Sequence, residues 1–171
     1  MTNNNYDITI DPNKTYTFTV TDITTPSFKL ASSISSWLVT NLTALKDSNN
    51  NTVFGKVNTG YTESALKTFS GKPTCDVYIN RVEYKDDFDY SQPVMVDSIV
   101  LFYLKGANNT AYMKCAELHD YVMQSFIENE DWKTLPGLVS NTFIRNSQLM
   151  MHPGNKKWGV MGALELAHKI Y

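Results

Sequence analysis

The sequence predicts an α+β fold: a mixed or mostly antiparallel sheet, two main helices packed on one of its faces, and an N-terminal β-hairpin arm. Three observations carry this. Residues 28–46 and 111–127 repeat apolar side chains every three or four positions, the helical period. Residues 73–84, 94–104, 138–151 and 158–171 alternate with period two, the mark of a strand with two distinct faces. No internal repeat, heptad run or glycine-serine linker divides the 171 residues, a length suited to one well-buried core. A single domain spanning 1–171 follows, with 1–26 as the arm and 27–171 as the core.

The arm comes first. Tyr6, Ile8 and Ile10 alternate with polar residues, and so do Tyr16, Phe18 and Val20 with threonines. Between them Asp11-Pro12-Asn13-Lys14 is a turn sequence, because Pro12 presets φ and its neighbours can bond their own backbone. A two-stranded arm is marginal alone and must lie on something. The helix over 28–46 follows, with Ser27 as its N-cap, or Ser32–Ser33 if it starts later, and Leu30, Ile34, Trp37, Leu38, Leu42 and Leu45 on one buried stripe. Residues 47–51 read as a loop, 53–57 as a short strand and 63–69 as a helical turn within a weakly patterned segment that has the character of a binding loop.

The strand opened by Pro73 places Cys75, Val77 and Ile79 on one face and Val82 and Tyr84 on the other, which predicts a bulge near Asn80 and Arg81. Residues 85–92 form a polar tip. Pro93 opens the return strand, apolar on both faces toward Leu104 and hence central and covered on both sides. The second helix turns Ala111, Cys115, Leu118, Val122 and Phe126 inward. In the next strand Val139, Phe143, Leu149 and Met151 share a face, opposite Ile144 and Met150. In the last, Trp158, Val160, Leu164, Leu166 and Ile170 point one way and Met161, Glu165, Lys169 and Tyr171 the other. Gly159 and Gly162 inside it mark close packing or a bulge.

The chemistry is sparse. The net charge of −2 gives no pull toward nucleic acid or an anionic membrane. Lys156 and Lys157 beside Trp158 neutralise too few phosphates to drive nucleic-acid binding. Residues 1–6 lack the basic and apolar regions of a secretory signal, and the apolar run at 97–104 is too short to span a bilayer, so a soluble protein made in a cytoplasm is expected. Cys75 and Cys115 read as two buried reduced thiols. His119, His152 and His168 have no metal-ligand spacing, no serine sits in a nucleophile elbow, and no glycine-rich phosphate loop occurs; no catalytic, cofactor or metal residue is assigned. Asp86, Asp87 and Asp89 lack the spaced ligands of a calcium loop and read as a solvated hairpin tip. Aromatic residues make up 12% of the chain, and Phe54, Tyr61, Phe69, Phe88 and Tyr90 fall in loop regions; such residues either mark an interaction surface or fold down onto the core.

The order of elements does carry a resemblance. A helix with Trp37, Leu38 and Leu42 is followed by the strand pair 73–84 and 94–104, then by the helix Ala111-Tyr112-Met113-Lys114-Cys115-Ala116-Glu117-Leu118-His119-Asp120-Tyr121-Val122. Leu135-Pro136-Gly137-Leu138-Val139 introduces a strand, and the chain closes on Trp158-Gly159-Val160-Met161-Gly162-Ala163-Leu164-Glu165-Leu166. From Phe28 to Tyr171 this resembles the tail terminator and tail-completion proteins of the bacteriophage neck. The hairpin of residues 6–20 stands outside that pattern and reads as an added docking arm. The resemblance implies a non-enzymatic virion protein forming a homo-oligomeric ring, a hexamer in expectation. The ring would cap the tail tube and meet the tail-tube and head-completion proteins, with no cofactor. Its candidate contact residues are Tyr16 and Phe18 in the arm, Phe54, Tyr61 and Phe69 in the long loop, and Asp86, Asp87, Phe88, Asp89 and Tyr90 at the tip. Two other function classes compete with it. One is a small-ligand or carbohydrate binding module whose loop aromatics stack on the ligand. The other is an enzyme whose residues meet only in space, such as His119 with Asp120 or Glu117 and a distant serine.

Overall fold

A computed structural model describes residues 26–60, 72–86, 89–105, 109–153 and 158–171. The elements in order are α1 (Pro26–Ala44), β1 (Lys56–Thr59), β2 (Thr74–Asp86), β3 (Asp89–Lys105), α2 (Asn109–Glu128), α3 (Glu130–Lys133), β4 (Val139–Pro153) and β5 (Trp158–Ile170). The strands form one sheet in the order β1-β2-β3-β5-β4. Only β1 pairs in parallel; the other three pairings are antiparallel. This is the α+β fold with a mixed sheet that the pattern predicts, and both main helices share one face of it. The hairpin arm, the helical turn at 63–69 and the tip residues Asp87 and Phe88 lie outside the described residues.

α1 forms because Leu30, Ile34, Leu38 and Leu42 recur every fourth residue and line up along one side of the cylinder. All four are buried, and so is Leu45 just past the last turn. Each such side chain contributes roughly 1.5–3 kcal/mol by leaving water. The helix begins at Pro26, so Ser27 lies inside the first turn rather than at the cap; proline suits that position because its missing N–H needs no partner there. After the helix Asp47 organises the loop. Its carboxylate accepts the backbone N–H of Asn49 and Asn51 at 2.9 and 2.8 Å, which holds its pKa below the usual value. Asn50 takes the left-handed conformation there (φ 63°), which asparagine tolerates. β1 starts at Lys56, three residues later than its alternation suggests, and Phe54 packs inward ahead of it.

The bulge expected near Asn80 is present: the register of β2 on β3 shifts between Ile79 and Arg81. It returns Val82 to the helix side, where Val82 packs on the same core as Ile79. Pro93 lies inside β3 rather than at its start, opposite Tyr84 at a second irregularity where its missing N–H is tolerated. β3 is central, as expected. Val96, Val100 and Phe102 enter the main core beneath the helices, while Leu101 and Tyr103 form a smaller buried cluster on the outer face. Phe102 sits opposite Gly162 of β5, and a Cβ added to Gly162 would lie 2.0 Å from its ring. The ring of Phe102 occupies the space a larger residue would need, which is why glycine interrupts an otherwise bulky strand.

The one-turn helix α3, absent from the sequence reading, exists to bury Trp132, whose ring meets Phe126 edge-on at 4.8 Å. The carbonyl of Asp131 accepts Trp37 Nε1 (3.2 Å) and Asn41 Nδ2 (3.4 Å), which ties α3 to α1. Pro136 and Gly137 then turn the chain: Leu138 N–H donates to the Leu135 carbonyl at 2.9 Å, and Gly137 takes φ 72°. In β4 the strict alternation fails. Register shifts between Val139 and Asn141 and between Ile144 and Asn146 put Val139, Thr142, Ile144 and Leu149 on the core side. Phe143, expected beside Val139, is instead 47% exposed. From Gly159 to Ile170, β5 follows its alternation.

Candidate functional site

Of the candidate contact residues, Phe54 is corrected by the structure. It is 5% exposed, and its ring lies 6.3 Å from Phe102 in the main core. It is a loop aromatic folded down, the second of the two readings open to it. Asp86, Asp89 and Tyr90 are strand residues rather than tip residues, because β2 and β3 stay paired out to Asp86 opposite Asp89. Tyr16, Phe18, Tyr61, Phe69, Asp87 and Phe88 lie outside the described residues.

Three arrangements carry chemistry, and two of them start from neighbouring residues of β3. Ser98 points under the helices. Its hydroxyl lies 2.7 Å from His168 Nε2, and Thr142 Oγ1 lies 3.0 Å from His168 Nδ1. This chain crosses β3, β5 and β4. Ser98 and His168 have no exposed surface, Thr142 has 9%, and the edge of Trp37 covers the imidazole with ring centres 5.8 Å apart. Burial pushes the His168 pKa down to about 4, so both ring nitrogens serve a neutral imidazole that donates once and accepts once. A serine hydrogen-bonded to a histidine is the opening pair of a nucleophilic triad. Here no substrate can reach it, and the third partner is a threonine hydroxyl that cannot stabilise an imidazolium. Sequence reading missed this trio because Ser98, Thr142 and His168 are far apart in the chain; only the strand register joins them.

Asp97 points the other way. Its Oδ2 accepts Arg81 Nε at 2.9 Å and Arg145 Nη1 at 3.1 Å, and Arg81 also pairs with Glu83. The carboxylate is 2% exposed, while the arginine side chains are 49% and 35% exposed. Asp97 Oδ1 is buried with no partner among the described residues. Arg81 is directly opposite Asp97 in β2, and Arg145 is the extra residue of the second β4 bulge, reaching across β5 above the small Ala167. Its Nη2 also touches Met95 Sδ at 2.8 Å.

The third arrangement is a cleft of about 460 Å³ between the end of α2, α3 and the first half of β4. Met123, Phe126, Ile127 and Ile144 supply apolar walls, and Lys133, Asn141 and Thr142 its polar groups. Ile127 is 52% exposed at the rim, and Lys133 is held by Glu130 at 2.9 Å.

His119, the other histidine considered for catalysis, faces the core of α2 at 6% exposure, against the Phe102 ring at 5.9 Å, and its Nε2 has no partner among the described residues. Its contact with Asp120 is 3.5 Å, too long to orient a base. Cys75 and Cys115 are free and buried. Burial raises both thiols, Cys115 to about 11, which removes the thiolate that reactivity needs. Among the described residues no three His, Cys, Asp or Glu side chains gather as a metal site, and no helix is long and apolar enough to cross a membrane. The chain matches no protein-family model and no curated protein.

Proposed function

We propose that this chain is a structural assembly protein of the phage neck, resembling a tail terminator. It would work as a homo-oligomeric ring joining tail tube to head-completion proteins, in the virion and without catalysis. The observation that carries the reading is the asymmetry of the sheet. Two helices bury one face, while the 15-residue β4 is left as an outer strand among the described residues. Subunits that close into a ring need heterologous contact surfaces, and a long strand edge is one. The chemistry agrees with a scaffold: the serine–histidine pair found among the described residues is sealed in the core and the thiols are buried.

The test is mass in solution by light scattering, followed by negative-stain imaging. A closed ring, in expectation of six subunits, supports the reading. A monomer both at the highest attainable concentration and in the presence of purified tail tubes overturns it. The carbohydrate-binding alternative draws no support from the cleft. Its aromatic lining residue, Phe126, is 3% exposed and offers no face for a sugar to stack on.

A further inference from the structure

We propose that the cleft beside β4 receives the N-terminal strand, residues 15–20, of a neighbouring copy, which adds to the sheet edge and makes the ring contact. This rests on the assembly reading above and names the surface that reading needs.

Three observations on the page converge. The first is the edge itself. Its second half is defended by polar and charged residues, Arg145, Asn146, Ser147 and Gln148, all exposed. The stretch from Asn141 to Ile144 lies between the two bulges and pairs in unbroken register with β5. The second is what stands next to that stretch. The apolar walls of Met123, Phe126 and Ile127 flank it from the helix side, and Ile144 of the stretch itself completes the apolar lining. An edge strand beside a helix-walled apolar cleft is the arrangement that binds an extended peptide by strand addition. Main-chain hydrogen bonds set its direction, and alternate side chains enter the cleft.

The third is the occupant. Thr15, Thr17 and Thr19 alternate with Tyr16, Phe18 and Val20, with no proline among them. Such a segment has one aromatic face to bury and one hydroxyl face to leave in water, the two-faced partner that a half-open cleft requires. Six residues match an ordinary strand length. The segment precedes Pro26 by five residues, a tether that spans at most about 18 Å when extended. Each copy would give one strand and accept one, a head-to-tail contact that forms a ring when the rotation between neighbours closes.

The experiment uses full-length protein. Phe18→Cys and Ile127→Cys are made as separate variants; both native thiols are buried, which keeps the background low. The two are mixed and treated with a short bismaleimide. The expected result is a crosslinked heterodimer that disappears when Tyr16→Asp is added to the Phe18→Cys chain. A crosslink that forms only when both cysteines share one chain, undiminished on dilution, overturns the exchange between copies. Deletion of residues 1–20 is expected to reduce the ring to monomers. A ring that survives the deletion overturns this inference while leaving the assembly reading intact, whereas a wild-type protein that never assembles overturns both.

Discussion

Asp97 and Ser98 are consecutive residues of one strand, yet they seed opposite kinds of polar cluster. Ser98 faces the helices and builds a neutral chain through His168 to Thr142, with almost no exposed surface. Asp97 faces away and gathers two half-exposed arginines around a buried carboxylate. The difference follows from solvent. Under α1 a charge would have no water to screen it, and the cluster survives by staying uncharged with its ring nitrogens hydrogen-bonded. On the outer face the guanidinium groups keep part of their hydration, so an ion cluster is tolerable there.

The neutral cluster should be the more costly to break. His168→Ala removes a filled volume and strands two buried hydroxyls, an expected loss of about 3–5 kcal/mol in chemical denaturation. Replacing the whole chain at once, Ser98→Ala with His168→Leu and Thr142→Val, leaves nothing unpaired and should recover most of that loss. A triple variant no more stable than the single one would mean that the packing under Trp37, rather than hydrogen bonding, holds this region.

Acid should separate the clusters next. His168 titrates near 4 when folded and near its ordinary 6.5 when unfolded. As pH falls through 6.5 the unfolded chain takes up the proton first. The stability is therefore complete above that pH and drains away down to about 4, by on the order of 3 kcal/mol. Urea melts at pH 7, 5.5 and 4.5 should show the slope, and the triple apolar variant should lack that share of it. An unchanged slope would show that other groups control the acid response.

Much of this contrast was hidden from the sequence for a definite reason. The core stripes of α1, α2 and β5 are local patterns, set by residues three, four or two apart, and they read correctly. The bulge near Asn80 was legible because apolar residues change parity there. The β4 bulges were not, because Asn141, Arg145 and Ser147 already break the alternation, so Phe143 was placed on the wrong face. The clusters depend on register between strands 16 to 70 residues apart, such as Arg81 on Asp97 and Ser98 on His168. Phe54 had no periodic neighbours to show that it belongs beneath α1. Of the candidate contacts, Tyr16, Phe18, Tyr61, Phe69, Asp87 and Phe88 lie outside the described residues, while the cleft at Ile127 had no sequence signal beyond one apolar residue at the end of a helix.

The charged cluster should yield less when broken. Asp97→Asn keeps an acceptor but leaves Arg145 without a carboxylate partner and Arg81 with Glu83 alone. Because both arginines are well exposed, the loss is expected at about 1–2 kcal/mol, below that of a fully buried pair. A loss equal to that of His168→Ala would erase the contrast between the two faces.

The smallest effect tests whether the two arginines are equal partners. Arg81 lies directly across from Asp97, places two nitrogens on Oδ2 and touches Glu83 as well. Arg145 comes from a bulge, spends one nitrogen on Oδ2 and turns another to the sulfur of Met95, a weak acceptor. Lysine in place of arginine keeps the charge but loses the planar fork. Arg81→Lys should therefore cost about 0.5–1 kcal/mol, and Arg145→Lys a few tenths or less. Raising the salt to 1 M should shrink both losses, since the exposed part of each pairing is then screened within a few ångströms. If Arg145→Lys proves the more damaging and is insensitive to salt, its role is steric. The guanidinium would then be shielding Ala167 and holding the β4 bulge, and the outer cluster would resemble the buried one in depending on packing rather than on charge.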